Sequence, residues 1–234
     1  MINFADLNYS QIKNILTDDL SLDKKKSSMR SNQIWKFYYQ KGYFNLDLFS
    51  NLPKDLIDEL KKIINFSRPK IKNKQISKDG TIKWLLELED KNLVETVYIP
   101  SDTHSTLCIS SQVGCTLNCK FCHTGVQPLV KNLSSNEIIN QIMVAKDELD
   151  DWGEQKKINN IVYMGMGEPF YNYENIKQSV QILKDENGLN FTNKKITIST
   201  SGISPNIKKA GDEIGTYLAL SLHASNDEIR NSIM

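Results

Sequence analysis

The sequence predicts an α/β fold: a partial (β/α) barrel, incomplete at its C-terminus, preceded by a small helical domain and a short β-unit. Three observations predict it. Short runs of strand-type residues alternate with amphipathic helical stretches through the second half of the chain, the pattern of a parallel sheet or barrel. The first 75 residues carry apolar positions at helical spacing. Only four strand–helix units fit before the chain stops at Met234, and four cannot close a barrel. The expectation is a fragment of a longer reading frame. At 234 residues, 39% hydrophobic and 24% charged, the composition is that of a globular chain able to bury a core.

The elements follow in order. In the helical part, 1–75, an aromatic-rich helix carries Ile34, Trp35, Phe37 and Tyr38 and ends near Gly42. After the turn at Asn51-Leu52-Pro53, a second carries Leu56, Ile57, Leu60, Ile63 and Ile64. The aromatics are core residues or, alternatively, a base-stacking surface. The lysines at 24, 25, 26, 70, 72 and 74 flank these helices and are either phosphate contacts or a solvated face. Residues 76–100 form a β linker unit, with the Asp79-Gly80 turn before Thr81–Leu88 and the polar Glu89–Asn92 turn before Leu93–Ile99. In 101–234 strands are expected at Thr106–Ser110, Ile161–Met164, Ile196–Thr200 and Tyr217–Leu222. Ser134 and Glu137 form a capping box before one crossover helix, and a second, with Ile176, Val180 and Leu183, stops at Gly188.

Net charge is +1 overall, but residues 1–75 hold 14 Lys/Arg against 8 Asp/Glu, while the remainder is net negative by five. A basic front suits a polyanionic partner, although a solvated charged face is the commoner explanation. No apolar stretch is long enough to cross a bilayer, and the first residues lack the pattern of a signal peptide. A cytoplasmic, reducing location is the expectation.

All four cysteines lie within fifteen residues: Cys108, Cys115, Cys119 and Cys122. A disulfide framework spreads its cysteines through the chain, so this cluster points to metal or redox chemistry. Cys115-x3-Cys119-x2-Cys122, just after a strand, can hold three irons of a [4Fe–4S] cubane and leave the fourth open to an exogenous ligand. Zinc or free thiols are the rival readings, but His123 is badly placed beside Cys122 to complete a zinc site. Cys108 alone reads as a small buried hydrophobe, Glu95 as a surface carboxylate, and His223 as a strand-end histidine. A Gly-x-Gly-Glu turn at Gly165–Glu168 is weak by itself and gains weight from lying at a strand's C-terminal end.

The C-x3-C-x2-C spacing is the signature of the radical S-adenosylmethionine (SAM) enzymes. The string from Thr106 to Cys122 resembles one branch of them, the dual-specificity adenine-C2 methyltransferases of 23S rRNA and tRNA, whose sister group methylates adenine C8. Val94–Pro100, Met164-Gly-Met-Gly-Glu-Pro169, Ile196–Gly202 and Leu220-Ser-Leu-His-Ala224 follow in that family's order, so the resemblance covers nearly the whole chain.

That resemblance implies a partial radical SAM barrel whose cofactors are a [4Fe–4S] cluster on Cys115, Cys119 and Cys122 and SAM chelated to the open iron. It assigns SAM contacts to Gly167, Glu168, Ser199, Ser221, Leu222 and His223. It makes Glu95 the acceptor of the ring proton and Cys108 the thiol that releases the protein–RNA adduct by forming a disulfide. A methyl group is carried meanwhile on a second cysteine that follows in the family; here no cysteine follows Cys122. The implied partners are 23S rRNA, at the peptidyl transferase centre, and tRNA, at the adenosine 3′ of the anticodon, with flavodoxin or ferredoxin as electron donor; no membrane is involved and the protein acts as a monomer. The adenine-C8 branch and a non-catalytic iron–sulfur or RNA-binding remnant stand as alternatives.

Overall fold

The computed structural model describes residues 1–234. The chain opens with β1 (Ile2–Asn3), which pairs in parallel with β2 (Ile64–Asn65) and so fastens the first residues to the end of the helical part. Between them lie α1 (Tyr9–Asn14), α2 (Lys24–Tyr39) and α3 (Lys54–Ile63). Each start has a local cause. Asn8 and Gln11 form a reciprocal capping box for α1, the Asp23 carboxylate accepts from the backbone N–H groups of Lys25 and Lys26, and Pro53 precedes α3. Trp35, Tyr38 and Tyr39 on α2 are all buried and pack with Phe4 and Phe66, so these aromatics are core and not a base-stacking surface.

The rest of the fold is organised on one seven-stranded sheet. β3 (Lys70–Ile76), β4 (Ile82–Glu87), β5 (Leu93–Ile99) and β6 (Thr106–Cys108) form an antiparallel meander. A small antiparallel pair, β7 (Gln112–Val113) and β8 (Lys131–Asn132), brackets the cysteine loop. The sheet then continues in parallel from β6 through β9 (Asn160–Tyr163), β10 (Ile196–Thr200) and β11 (Tyr217–Leu220). The crossovers are α4 (Ser135–Leu149), α5 (Tyr173–Lys184) and α6 (Ser204–Glu213), and α7 (Asp227–Ile233) follows β11. The four expected strand–helix units are all present.

Three expectations need correction. Lys70–Ile76 is not the tail of the helical part but the outermost strand of the sheet. Residues 76–100 are not a separate linker, because β5 pairs directly with β6 and the meander extends the barrel wall. The second crossover helix ends at Lys184, four residues before Gly188, which sits in the following loop. Consequently Lys70, Lys72 and Lys74 stand on an edge strand, where Lys72 pairs with Glu87 and Lys74 with Glu148 of α4. Lysines on an edge discourage pairing with a further strand.

One core of 47 buried side chains runs from Phe4 to Ile214, across both the helical part and the sheet. The helical part is seated on α4 by specific bonds. Tyr38 donates its hydroxyl to Asn140 Oδ1 at 2.8 Å, and the Asn136 N–H donates to Asp6 Oδ1 at 2.7 Å. Arg68 pairs with Asp147 at 2.6 Å while its guanidinium lies over the rings of Tyr38, Phe44 and Trp152. On β5, alternation sends Val94, Thr96 and Tyr98 into this core and leaves Glu95 and Val97 on the open, concave face.

Candidate active site

The C-terminal ends of the parallel strands converge on one cleft of about 350 Å³, a size suited to a small ligand. The cysteine loop forms one wall. After β6 the backbone is fixed by buried groups: Ser110 takes its N–H to Gln141 Oε1 of α4 at 2.8 Å, and its hydroxyl donates to Glu95 O at 2.6 Å and accepts from Met166 N at 3.0 Å. Gly114 then turns the chain at φ +73°, so close to Pro128 that a Cβ would lie 2.1 Å from its carbonyl oxygen. From that turn Cys115, Cys119 and Cys122 all line the cleft.

Gln112 is a positioning residue that sequence reasoning did not single out. Its buried amide accepts from the N–H of Glu168 at 3.0 Å and of Thr116 at 3.2 Å, and donates to Thr116 Oγ1 at 2.7 Å and Asn132 Oδ1 at 2.8 Å. One side chain thus joins the cysteine loop, β8 and the Gly-Met-Gly-Glu-Pro turn. The available signal was its place inside the string Ile109-Ser-Ser-Gln-Val-Gly-Cys115.

The opposite wall is that turn, after β9. Glu168 is buried, with Oε1 accepting from Phe170 N at 3.0 Å and Oε2 from Ser201 N at 2.7 Å. Each carboxylate oxygen keeps a free lone pair for a ligand cation. Gly167 has φ +95°, and a Cβ there would meet Gln112 Cβ at 2.4 Å. The glycine is therefore demanded by the packing of the Gln112 side chain, not only by approach of a ligand. Ser199, at the end of β10, and Ser221 and His223, after β11, complete the lining. His223 has φ +57°, and its ring lies 4.2 Å, tilted by 46°, from the Phe121 ring of the cysteine loop. Leu222, between them, is exposed and does not line the cleft.

Two assigned residues stand apart from the cleft. Cys108 pairs with Val97 across β5–β6, which puts its thiol on the same concave face as Glu95. Burial pushes the Cys108 thiol up to about 11, against a smaller effect of the Met164 N–H. Glu95 is half-exposed and held by Lys83 Nζ at 2.9 Å. All four cysteines are free thiols.

The donor set fits a multi-iron cluster. Burial foremost, and then repulsion from the neighbouring cysteines, raises the Cys115 and Cys119 thiols, so the loop holds soft ligands that want a cationic partner. No three His, Cys, Asp or Glu side chains close on one point as around a single ion.

The radical SAM superfamily model matches residues 109–234. The chain belongs to the radical SAM superfamily. It is 46% identical over 228 residues to the dual-specificity RNA methyltransferase RlmN of Bradyrhizobium sp. (strain ORS 278), a match spanning 92% of this chain and 57% of that protein. The same-named protein of Rhizobium meliloti is 43% identical over 244 residues, spanning 94% and 59%. Among solved structures, a radical SAM methyltransferase from Sphaerobacter thermophilus superposes with a TM-score of 0.91 at 35% identity, covering all of this chain and 67% of that one. The chain thus spans under three fifths of the length of these curated relatives, and its radical SAM domain is a partial barrel.

Proposed function

We propose that this chain carries the cluster- and SAM-binding part of a radical SAM RNA methyltransferase that acts on adenine C2 of 23S rRNA and tRNA. The observation that supports it best is the convergence of Cys115, Cys119 and Cys122 with Gly167, Glu168, Ser199, Ser221 and His223 on one cleft at the strand ends. A [4Fe–4S] cluster bound by the three thiolates, reduced by a flavodoxin or ferredoxin, would supply the electron that breaks the carbon–sulfur bond of SAM.

The protein's own groups have separate tasks. Glu168, already fixed by two backbone N–H groups, receives the SAM ammonium on its remaining lone pairs. Glu95 takes the adenine ring proton, with Lys83 holding the carboxylate in place between turnovers. Cys108, kept protonated by burial, serves as a reserve thiol that closes a disulfide only at the release step. Its partner thiol, and the methyl group it carries, are not among these residues, since no cysteine follows Cys122. That observation favours a second reading in which this chain alone cleaves SAM but completes no methyl transfer.

Anaerobic reconstitution of the 234-residue chain with iron, sulfide, reductant, SAM and rRNA or tRNA fragments tests both. The expected products are 5′-deoxyadenosine and no methyladenosine, with 5′-deoxyadenosine lost in Cys119→Ala. Absence of SAM cleavage overturns the catalytic assignment. Methyladenosine from this chain alone overturns the need for a second thiol, and its position at C2 or C8 decides between the two branches.

A further inference from the structure

A second cleft, of about 600 Å³, lies at the opposite end of the sheet. It is lined by residues just before β9 (Ile158, Asn159) and β10 (Lys195), where the cluster cleft uses the residues that follow those strands. Roughly 13 Å of strand separates the two ends, so no ligand here reaches the cysteines. The lining is unusually basic. Lys41, Lys156 and Lys195 all face it, and none of the three pairs with a carboxylate. Its single lining carboxylate, Asp151, is already engaged by Lys146 Nζ at 3.0 Å and by the Lys157 N–H.

One buried donor is left over. Tyr39 lines this cleft, is 1% exposed, and its hydroxyl has no hydrogen-bond partner in the chain. Burial keeps that phenol protonated and hence a donor. Buried polar groups are nearly always bonded, so an orphan hydroxyl on a residue that lines this cleft calls for an acceptor from outside.

We infer that this cleft binds a phosphate group of a ribonucleotide, with Lys41, Lys156 and Lys195 supplying charge and the Tyr39 hydroxyl a directed hydrogen bond. The volume accommodates a nucleotide unit and exceeds what a bare phosphate needs. The phosphate comes from a free nucleotide or from an RNA strand, and the chemistry at the protein is the same.

The test uses the full 234-residue chain with three probes: inorganic phosphate, AMP, and a fluorescently labelled 12-nucleotide RNA, followed by calorimetry or anisotropy. Lys41→Ala/Lys156→Ala/Lys195→Ala, whose sites lie at the cleft rim, is expected to weaken binding at least tenfold. For RNA it should also flatten the slope of log affinity against log salt by about 2, at ~0.7 per lost contact on a single strand. Tyr39→Phe, which keeps the ring and its packing, is expected to weaken it about threefold or more. A control triple variant elsewhere, Lys54→Ala/Lys78→Ala/Lys208→Ala, should retain most of the affinity. If AMP saturates and displaces RNA, the ligand is a free nucleotide; if only RNA binds, the cleft belongs to an RNA track. Equal losses in the two triple variants, unchanged binding of every probe in the cleft variant, or an unaffected Tyr39→Phe would each overturn the inference. Circular dichroism of each variant separates loss of binding from loss of fold, and SAM cleavage, tested apart, bears only on the cluster cleft.

Discussion

At the scale of single residues, Gln112 carries more of the site than any cysteine does, because it holds the loops between which the cysteines are hung. Gln112→Ala strands the buried N–H of Glu168, while the N–H of Thr116 and the amide of Asn132, on exposed residues, exchange their partner for water. Stranded buried groups cost about 1–3 kcal/mol each, partly relieved by water entering the space. The expected loss is about 2 kcal/mol, or roughly 6 °C in melting temperature for a domain of this size, together with a lower iron content after reconstitution. A variant that melts with the wild type would show that these bonds are dispensable. Cys108 makes a second residue-scale prediction. With its thiol at about 11, only about one molecule in a thousand is a thiolate at pH 8. Iodoacetamide should therefore label Cys108 far more slowly than an ordinary exposed cysteine in the unreconstituted chain, and the rate should keep rising to pH 11. The sign for stability follows. The folded form holds the proton more tightly than the unfolded one, so between about pH 9 and 11 stability falls as pH rises. Cys108→Ala should remove that part of the fall, which urea unfolding at pH 8 and pH 10 measures.

At the scale of elements, the parallel strands are tied to one another at their C-terminal ends by Glu168, whose two oxygens hold Phe170 after β9 and Ser201 after β10. Glu168→Gln turns one acceptor into a donor that faces a backbone N–H. The predicted cost is about 2 kcal/mol, a fall of roughly 6 °C, with weakened SAM binding; equal melting and equal SAM affinity would sink both roles. The elements also show what a sequence exposes. Ser134 and Glu137 announced α4 because a capping box is a local bond pattern, written in adjacent residues. β3 stayed hidden because Lys70-Ile-Lys-Asn-Lys-Gln-Ile76 is exposed throughout and shows no alternation of polarity between faces. α6 is expected only as the helix of a strand–helix unit, and its residues are not legible for a similar reason: Ala210 is its only buried residue, so the apolar stripe that marks a helix is thin. In the site, Cys115, Cys119 and Cys122 were legible from spacing alone. Glu95 and Cys108 acquire a shared face only through the β5–β6 register, a long-range fact no local pattern contains. The partners of Gln112 lie up to 56 residues away, which is why its role emerges only in the fold.

At the scale of the whole molecule, the three parts suggested by sequence share one core. Trp35 is buried in the helical part against Tyr39 and Phe4, and Trp84 is buried in the sheet on β4. The join between them is extensive: Tyr38 to Asn140, Asp6 to Asn136, Arg68 to Asp147, and Trp35 itself to Asp185 at 3.2 Å. Domains that dock through a small polar surface unfold separately, whereas parts joined by a continuous core lose it together. The chain has three tryptophans, which makes the distinction measurable. A variant retaining only Trp35 reports the helical part, and one retaining only Trp84 reports the sheet, with the third, half-buried Trp152 replaced by Phe in both. Each replacement shifts stability by itself, so within each variant the fluorescence midpoint in urea is compared with the midpoint from circular dichroism at 222 nm. The expected result is coincidence of the two probes in both variants. If Trp35 fluorescence changes at a lower urea concentration than the dichroism, the helical part is an autonomous domain and the shared core contributes little to holding it. Arg68→Met sharpens the comparison, since it removes the charge bond to Asp147 and the contacts with three aromatic rings. In a single cooperative unit it should lower both tryptophan midpoints equally. In a divided molecule it should lower only that of Trp35.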